Sequence, residues 1–297
     1  MQLFDCFTFF NELDLLDLRL AELDAVVDRF VIGESPLTFT GRSKPLVFAE
    51  NRARFSRYLH KIEHVVIDDM PNGPETTAWD REWHQRNGLA RGLGMAKAND
   101  LVMLSDVDEI PRASLLSGVR ADPASGNRIT ILESDLYLYF LNTRPRTRYF
   151  SDIQAPRIVP RRAVGKMQTI RAFRARFSRN RLFDPIQPLA ARIRALFDFG
   201  TPLELKVIAN ATWHFTYMGG AERVREKVLS YAHTEMQTAE NTSAEVLARR
   251  IAQREAIVDW GPLDDLPLDA SFPAALLADP ARWAHMLAPV QPARRMD

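Results

Sequence analysis

The sequence predicts an α/β protein built on a doubly wound, mixed β-sheet, with helices toward the C-terminus. In the first 110 residues, four strand-like apolar segments alternate with three helical segments, which is typical of parallel strands joined by crossover helices. After Pro111, two strand-like segments follow each other without a helix, which indicates mixed pairing. The fourth apolar run, residues 101–104, ends in a cluster of acids, and ligands bind at such strand ends in open α/β sheets.

The first two predicted strands flank a helix. Residues 3–10 are apolar and aromatic, and residues 26–33 form a second apolar run that ends at Glu34. Between them, leucines recur at helical spacing in residues 12–23. This order predicts a strand, a helix and a second strand.

The following segments continue the alternation. We expect a basic helix at residues 47–59, a third strand at 64–67 and a longer helix at 77–96. A Met-Pro-Asn-Gly-Pro turn separates the third strand from the longer helix. The longer helix leads into the fourth strand.

The fourth strand ends in the sequence Asp-Val-Asp-Glu-Ile-Pro, residues 106–111. In an extended segment residues i and i+2 project to the same side, so Asp106 and Asp108 are expected to aim their carboxylates at one point. Two such oxygen donors suit Mg²⁺ or Mn²⁺, which keeps further positions for water or phosphate oxygens. The motif predicts a metal site for a phosphorylated substrate; the alternatives are a strand-end turn or a helix cap.

The second half of the chain predicts fewer regular crossovers. Strands are expected at residues 128–133, 136–141 and 207–218, and helices at 221–234, 245–258 and about 274–277. The arginine-rich segment between them has weak periodicity and is expected to be partly helical.

The composition is that of an ordinary globular protein. Of 297 residues, 46% are hydrophobic, and no segment approaches 18 consecutive apolar residues. Cys6 is the single cysteine, so no intrachain disulfide is possible. No basic segment precedes the apolar N-terminal stretch, as it would in a secretory signal. We therefore expect a soluble cytosolic protein without a nucleic-acid partner.

The charge distribution singles out residues 157–194. This basic insert carries eleven Arg or Lys against one acid, Asp184, and the rest of the chain carries 28 cations against 37 acids. Such a segment favours an anionic partner. We expect it to hold an anionic or lipid-linked acceptor or to contact an acidic membrane; the alternative is a solvated, mobile flap.

Candidate nucleotide-binding residues follow from the layout. An enzyme of this kind needs groups for the base, ribose and diphosphate along one sheet edge, and Glu34 and Lys44 lie after the second strand. Arg86 and Asn87, on the helix before the acids, are candidates for the diphosphate, because an Arg binds such oxygens in bidentate fashion. The alternative is a solvated helix face. The sequence lacks a Gly-x-Gly-x-x-Gly or Walker motif, which argues against a dinucleotide enzyme or a phosphate-loop NTPase.

Later residues could take part in the chemistry. His214 lies between two aromatic residues and is either a ligand or a core histidine bonded to a carbonyl. Glu222 falls in the first turn of a helix after a Gly-Gly turn and could act as a base. His233 and Glu235 form a weaker pair, for which a helix end is the alternative.

Several motifs together resemble glycosyltransferase family 17. They are FDCFTFFNELDLLDLR at residues 4–19, VIGES at 31–35 with Thr40-Gly41 and Lys44-Pro45, DVDEIP at 106–111, and Trp213-His214. The resemblance covers most of residues 1–118 and returns at about 212–235. It implies a GT-A-type fold, a UDP-sugar donor with GlcNAc as the sugar, a divalent metal (usually Mn²⁺) and inversion at the anomeric carbon.

The resemblance also assigns residues and regions. Asp106 and Asp108 match the family's motif for metal and diphosphate, and His214 would complete the metal site. Residues 1–118 would form the nucleotide-sugar-binding half, 119–260 the acceptor-side half of the same domain, and 261–297 a tail. We expect neither the membrane anchor nor the stem of the Golgi members, and the basic insert has no counterpart in the family. We therefore expect a glycan or lipid-linked acceptor and do not carry over the N-glycan.

Inversion by direct displacement needs a base for the acceptor hydroxyl and a Lewis acid for the departing diphosphate. We expect Glu222 to be the base, because an acid at a helix start just after a Gly-Gly turn recurs in other inverting enzymes of the GT-A type that the resemblance implies. Asp135 and Asp152 are the alternatives. Two other functions remain open. One is a phosphohydrolase of the haloacid dehalogenase type, and the other is a non-catalytic protein that binds a sugar or a polyanion.

Overall fold

The described residues form a mixed sheet with helices packed on its faces. The computed structural model describes residues 1–148, 150–151, 154–174 and 187–289. The strands are β1 (Leu3–Thr8), β2 (Arg29–Glu34), β3 (Ile62–Val66), β4 (Leu101–Asp106), β5 (Glu109–Pro111), β6 (Arg128–Leu138), β7 (Thr143–Pro145), β8 (Phe150–Ser151), β9 (Arg157–Pro160), β10 (Glu204–Thr216) and β11 (Leu263–Asp265). The α-helices are α1 (Leu13–Leu23), α2 (Val47–Glu50), α3 (Ala78–Gly88), α4 (Ala113–Ala121), α5 (Met167–Ala172), α6 (Gln187–Phe199), α7 (Gly220–Ser230), α8 (Ala244–Gln253) and α9 (Ala274–Ala278).

The main sheet has the strand order β3-β2-β1-β4-β9-β6-β10-β5, with β8 paired to β6. The first four strands are parallel, as the alternation of strands and helices predicted. Strand β9 runs antiparallel to β4 and β6, and β10 runs parallel to β6. The α/β fold class with a doubly wound, mixed sheet is therefore confirmed.

The central strands are buried on both faces, which explains their continuous apolar sequences. In β1, Phe4 and Cys6 enter one hydrophobic cluster, and Leu3 and Phe7 enter another. Alternate side chains of a strand point to opposite faces, so the sheet separates two cores. Burial on both faces fixes how each strand is placed in the sheet, and therefore which residues lie at its carboxyl end.

A third core lies under the second half of the sheet. Trp213 and Phe215 of β10 pack there with Phe272, Leu276 and Trp283. The segment after residue 261, expected to be a tail, thus contributes to the core up to the end of the described chain.

Several element boundaries differ from the prediction. Residues 128–138 form one long strand, because Ser134 and Asp135 pair with β10 instead of breaking the ladder. The basic insert begins inside the sheet, because its residues 157–160 are β9, between β4 and β6. It is therefore not a flap throughout, and its residues 175–186 lie outside the described part of the chain.

The predicted helix 77–96 stops being α-helical at Gly88 and continues as a 3₁₀ helix, Leu89–Leu93. The chain runs very close to the sheet here. A Cβ atom on Gly88 would lie 2.6 Å from Ile67 Cγ1, and one on Gly92 would lie 2.4 Å from Val31 Cγ1. Glycine permits this approach, which brings the helix onto the strands that lead to the site.

Candidate active site

A cavity of about 590 Å³ opens at the carboxyl ends of β1 and β4. Thr8 and Asp106, the last residues of these strands, are register partners and line it. Strand β10 adds His214, and α3 and α7 supply further walls. Open α/β sheets bind ligands at this edge, so the acid cluster lies where the sequence predicted a substrate site.

Arg19 of α1 fixes the turn after β4 through hydrogen bonds to its backbone. Its Nε and Nη2 donate to the two carboxylate oxygens of Asp5 at 2.8 and 2.6 Å. Its Nη1 donates to the carbonyl oxygens of Asp106, Val107 and Glu109 at 3.1, 3.3 and 2.7 Å. Both side chains of the ion pair are fully buried. A planar guanidinium with several donors suits this role, and it fixes the backbone that carries the acids.

Asp106 faces cations from two helices. Arg171 Nη2 of α5 lies 2.9 Å from its Oδ2, and Arg86 Nη2 of α3 lies 3.4 Å from its Oδ1. Thr8 Oγ1 donates to Oδ1 at 3.3 Å. Burial raises the pKa of Asp106, but Arg171 and Arg86 outweigh this effect and hold the pKa below its ordinary value. Asp106 is therefore ionised at neutral pH.

Asp108 is paired with Lys227 of α7. Lys227 Nζ donates to Asp108 Oδ2 at 2.6 Å and to Thr216 Oγ1 at 3.2 Å. His214 Nε2 lies 3.6 Å from the same carboxylate oxygen. Burial alone would raise the pKa of Asp108, but Lys227 and His214 lower it well below its ordinary value. Conversely, burial lowers the pKa of Lys227, but Asp108 and Glu12 raise it above its usual range.

Glu109 is the third acid of the cluster, and it bonds to Arg171 and to the backbone of Asp106. Arg171 Nη1 and Nη2 contact its two carboxylate oxygens at 2.8 and 2.7 Å. Its Oε2 also accepts from the backbone N–H of Asp106 at 3.2 Å. Arg171 thus bridges Asp106 and Glu109 and ties α5 to the end of β4.

His214 reaches the cavity because β10 alternates its side chains. Trp213 points into the third core and donates through Nε1 to the carbonyl oxygen of Ser271 at 3.0 Å. His214, its neighbour, lines the cavity. The structure therefore brings Asp106, Asp108 and His214 to one site.

The fit of a divalent metal can be judged from these donors. Asp108 Oδ2 and His214 Nε2 are 3.6 Å apart, and both atom types bind Mn²⁺. In the part of the chain that the structure describes, no three His, Cys, Asp or Glu side chains are gathered closely enough to enclose an ion. The donors fit an ion that takes most of its ligands from substrate phosphates and water. The metal assignment of Asp106, Asp108 and His214 stays a prediction.

The candidates near β2 occupy different surroundings. Glu34 is fully buried, and its Oε1 accepts from the backbone N–H of Phe48 at 3.0 Å. Its Oε2 lies 3.0 Å from His64 Nε2, and Lys44 Nζ lies 3.7 Å from Oε1. Lys44 lines the cavity, whereas Glu34 lies behind it. Glu34 therefore positions Lys44 and the start of α2 and does not face a ligand.

Arg86 and Asn87 likewise diverge. Arg86 is buried, lines the cavity and donates through Nη1 to Gln168 Oε1 at 2.6 Å. Asn87 lies outside the cavity wall, where its Oδ1 accepts from the backbone N–H of Gln168 at 2.9 Å and so positions the start of α5. Arg86 is in place to contact a ligand, and Asn87 is not.

The structure places Glu222, the predicted base, outside the cavity. Its side chain is 76% exposed and lies in a surface hollow with Arg42 and Arg225, outside the cavity. Glu222 and Lys227 are five positions apart in α7, which places their side chains about 140° apart around the helix axis. Because Lys227 faces the cavity, Glu222 faces away from it.

The alternative bases are no better placed. Asp135 is fully buried, outside the cavity wall, and paired with Arg144 and Arg148. Asp152 lies outside the described residues.

Two site residues were missed by the sequence analysis. Lys227 lies inside the predicted helix 221–234. Knowing which face of this helix lines the cavity would have identified it. Arg171 lies in the basic insert, where one arginine among many carries no local signal. Both meet the acids through contacts between residues distant in sequence.

Comparison with known proteins agrees with the motifs. Residues 1–143 match Glycosyltransferase family 17. The beta-1,4-mannosyl-glycoprotein 4-beta-N-acetylglucosaminyltransferases of Homo sapiens and Rattus norvegicus are each 36% identical to this chain over 108 residues. The match covers 34% of this chain and 20% of each relative, so the chain spans about a fifth of their length. The predicted resemblance to this glycosyltransferase family is confirmed.

A solved galactosyltransferase, LgtC in complex with donor and acceptor sugar analogs, aligns with 98% of this chain and 98% of its own. Its sequence identity is 12% and the TM-score is 0.29. Separately, the described part of this chain contains no helix long and apolar enough to cross a membrane.

Proposed function

We propose that this protein is a metal-dependent, inverting glycosyltransferase that moves a sugar from a UDP-sugar to an acceptor hydroxyl. The observation that carries the proposal is the meeting of Asp106 and Asp108 with Arg86, Arg171 and Lys227 in one cavity at the carboxyl edge of the sheet. A nucleotide sugar needs cations for its diphosphate and, for transfer, a group that accepts the developing negative charge. The relatives named above are N-acetylglucosaminyltransferases, which favours GlcNAc as the donor sugar.

The cavity cations would bind the donor diphosphate. Arg86 and Arg171 present guanidinium groups suited to bidentate contact with phosphate oxygens, and Lys227 presents a point charge. All three are already held in place by acids of the site. Fixed donors of this kind need little reorganisation as the diphosphate leaves.

The predicted metal would be held by Asp106, Asp108 and His214. When bound, it would supply a Lewis acid for the departing diphosphate. Arg19 supports this arrangement by fixing the carbonyl groups of the turn that carries both acids.

We also propose that the acceptor is a glycan or lipid-linked sugar and that the protein acts in the cytoplasm at an anionic membrane surface. The support for the membrane contact comes from α6, whose small residues Ala191 and Ala195 face the core. Its large apolar residues face outward: Leu189 is 62%, Ile193 49%, Leu196 47% and Phe197 83% exposed. An outward apolar stripe with arginines beside it is typical of a helix that lies in a membrane interface.

The function is tested by offering a panel of nucleotide sugars with Mn²⁺ and identifying the products. The expected result is release of UDP together with a sugar bonded to an acceptor hydroxyl with inverted anomeric configuration. Asp108→Asn serves as the inactive control. Release of inorganic phosphate would support the phosphohydrolase, and sugar binding without turnover would support a non-catalytic protein.

A further inference from the structure

A histidine and an acid form a hydrogen-bonded pair on the cavity wall, just after α7. His233 Nδ1 lies 2.6 Å from Glu235 Oε1, and the histidine ring meets Trp79 edge-on at a centroid distance of 4.7 Å. His233 and Glu235 both line the cavity that contains the acid pair. The His233 side chain is 49% exposed, and its Nε2 makes no hydrogen bond within the described chain.

The pair has a defined protonation pattern. The hydrogen bond from His233 lowers the pKa of Glu235, so this carboxylate is ionised at neutral pH. An ionised carboxylate only accepts hydrogen bonds, so the neutral imidazole carries its proton on Nδ1. Nε2 then presents its lone pair to the cavity, as in a base oriented by a carboxylate.

Two elements set the separation between His233 and the acid pair. Trp79 and Arg86 lie on one face of α3, two turns or about 10 Å apart, and Arg86 contacts Asp106 while Trp79 contacts His233. On the opposite wall, Lys227 contacts Asp108, and the chain runs from there past the end of α7 to His233. A separation of about 10 Å along α3 leaves room for a donor sugar and an acceptor hydroxyl between the diphosphate cations and the histidine.

The carboxylates of the cavity are already engaged. Glu109 is held by Arg171, and Glu82 by Arg86. Glu12 accepts from the backbone N–H groups of Phe10 and Asn11 at 3.2 and 3.0 Å. Among the described cavity residues, His233 is therefore a better placed proton acceptor than these three carboxylates.

We propose that His233 is the catalytic base that activates the acceptor, with Glu235 as its positioning residue. This inference rests on the proposed glycosyl transfer. Nε2 takes the proton of the acceptor hydroxyl while the acceptor oxygen forms a bond to the anomeric carbon. The bond from that carbon to the diphosphate oxygen breaks, and UDP leaves with its electron pair. Glu235 stabilises the imidazolium that results.

Charged and titratable groups face His233 from α3 and from its own segment. From α3, the charged residues on the cavity face are Glu82 and Arg86, which bond each other. From its own segment, the Tyr231 ring lies at a centroid distance of 5.7 Å. Burial raises the pKa of Tyr231, so that group is neutral across the working range.

The test compares His233→Gln and Glu235→Gln with His84→Gln. His84 is a matched control, because its Nε2 lies 3.2 Å from Asp69 in a similar pair outside the cavity wall. We expect His233→Gln to lower kcat by about 10²-fold or more and to remove the acid limb of the pH profile of kcat/KM. Glu235→Gln should lower kcat less, and His84→Gln should leave it unchanged. Donor affinity, measured by calorimetry, should stay within about twofold in all three variants, because no phosphate-binding group is altered.

A kcat within about threefold of wild type in both His233→Gln and His233→Asn, with the acid limb retained, would overturn the assignment. The second variant guards against a folding defect in the first. If the wild-type protein transfers sugar and these variants do too, only the base is wrong. If the wild-type protein transfers no sugar from any nucleotide donor, the proposed function fails, and the base assignment fails with it.

Discussion

Lys227 of α7 forms a partly buried ion pair with Asp108, its Nζ lying 2.6 Å from Oδ2. An internal cation thus neutralises the second acid of the motif, and Arg171 does the same for the first. Both cations line the cavity, where the proposed diphosphate would contact them.

Replacing Lys227 should weaken binding of the donor diphosphate. We expect Lys227→Met to raise the dissociation constant for UDP about tenfold or more, because a charge-assisted contact is worth roughly 1.5–3 kcal/mol. Calorimetry with UDP and with uridine measures this effect, since uridine carries no phosphate and should bind both proteins equally. Lys227→Arg should restore part of the affinity. An unchanged affinity for UDP in Lys227→Met would show that this cation does not contact the diphosphate.

The buried pair of Arg19 and Asp5 should be important for stability. Arg19→Met leaves the Asp5 carboxylate buried without its partner, and we expect a loss of about 3–5 kcal/mol in the free energy of unfolding. The double variant Arg19→Met/Asp5→Leu removes both charges and should be more stable than the single variant. Urea unfolding measures both. Equal stability of the single variant and the wild type would contradict this role.

The ion pair of Asp108 and Lys227 should contribute fully to stability near neutral pH. The lowered pKa of Asp108 means that its contribution is complete above about pH 5 and is lost as the pH falls below about 4. The raised pKa of Lys227 means that its contribution is complete below about pH 9 and is lost only as the pH rises through the raised value.

This expectation can be checked by unfolding wild type and Asp108→Asn across the pH range. The difference in their free energies of unfolding should shrink as the pH falls below about 4. A difference that stays constant down to about pH 2 would contradict the role of the ionised Asp108 carboxylate.

The exposed face of α6 should bind anionic bilayers. Replacing Leu189, Ile193 and Phe197 by Ser should reduce sedimentation with vesicles that contain anionic lipid. Met95→Ser is the control, because Met95 is 66% exposed and lies outside α6. Binding should weaken with added salt, since the Debye length falls to about 8 Å at 0.15 M. Equal sedimentation with neutral and anionic vesicles at low salt would contradict the membrane contact. Dimerisation lost in the serine variant would assign the face to a second copy of the chain.

Local sequence patterns predicted much of the fold. The apolar runs of β1, β2 and β4 are buried on both faces, and their alternation with helices defined the parallel half. Strand β9 was missed because it has only four residues, with Arg157 among them. Arg157 is buried, and its guanidinium donates to the carbonyl oxygens of Ala155 and Phe173, which compensates for the burial of its charge. No local sequence pattern reveals this compensation.

The candidate site was predicted only in part from backbone periods. Asp106 ends β4, but Asp108 lies in the turn before β5, so the expected i, i+2 spacing of an extended strand is not what brings both acids to the cavity. The alternation of β10 does explain why His214 reaches them. Glu222 was predicted at the site but lies outside the cavity, because a position at a helix start does not fix which side of the helix faces the site. Lys227 and Arg171 depend on how α7 and α5 pack on the sheet, which is set by contacts between residues distant in sequence.

The most direct test of the donor site is a calorimetric titration of UDP with and without Mn²⁺. Wild type should gain affinity for UDP when Mn²⁺ is added, Asp108→Asn should lose that gain, and Glu222→Gln should keep it, because Glu222 lies outside the cavity. The same Mn²⁺-dependent gain in wild type and Asp108→Asn, or no binding of UDP by wild type, would contradict a nucleotide-sugar site at the end of β4.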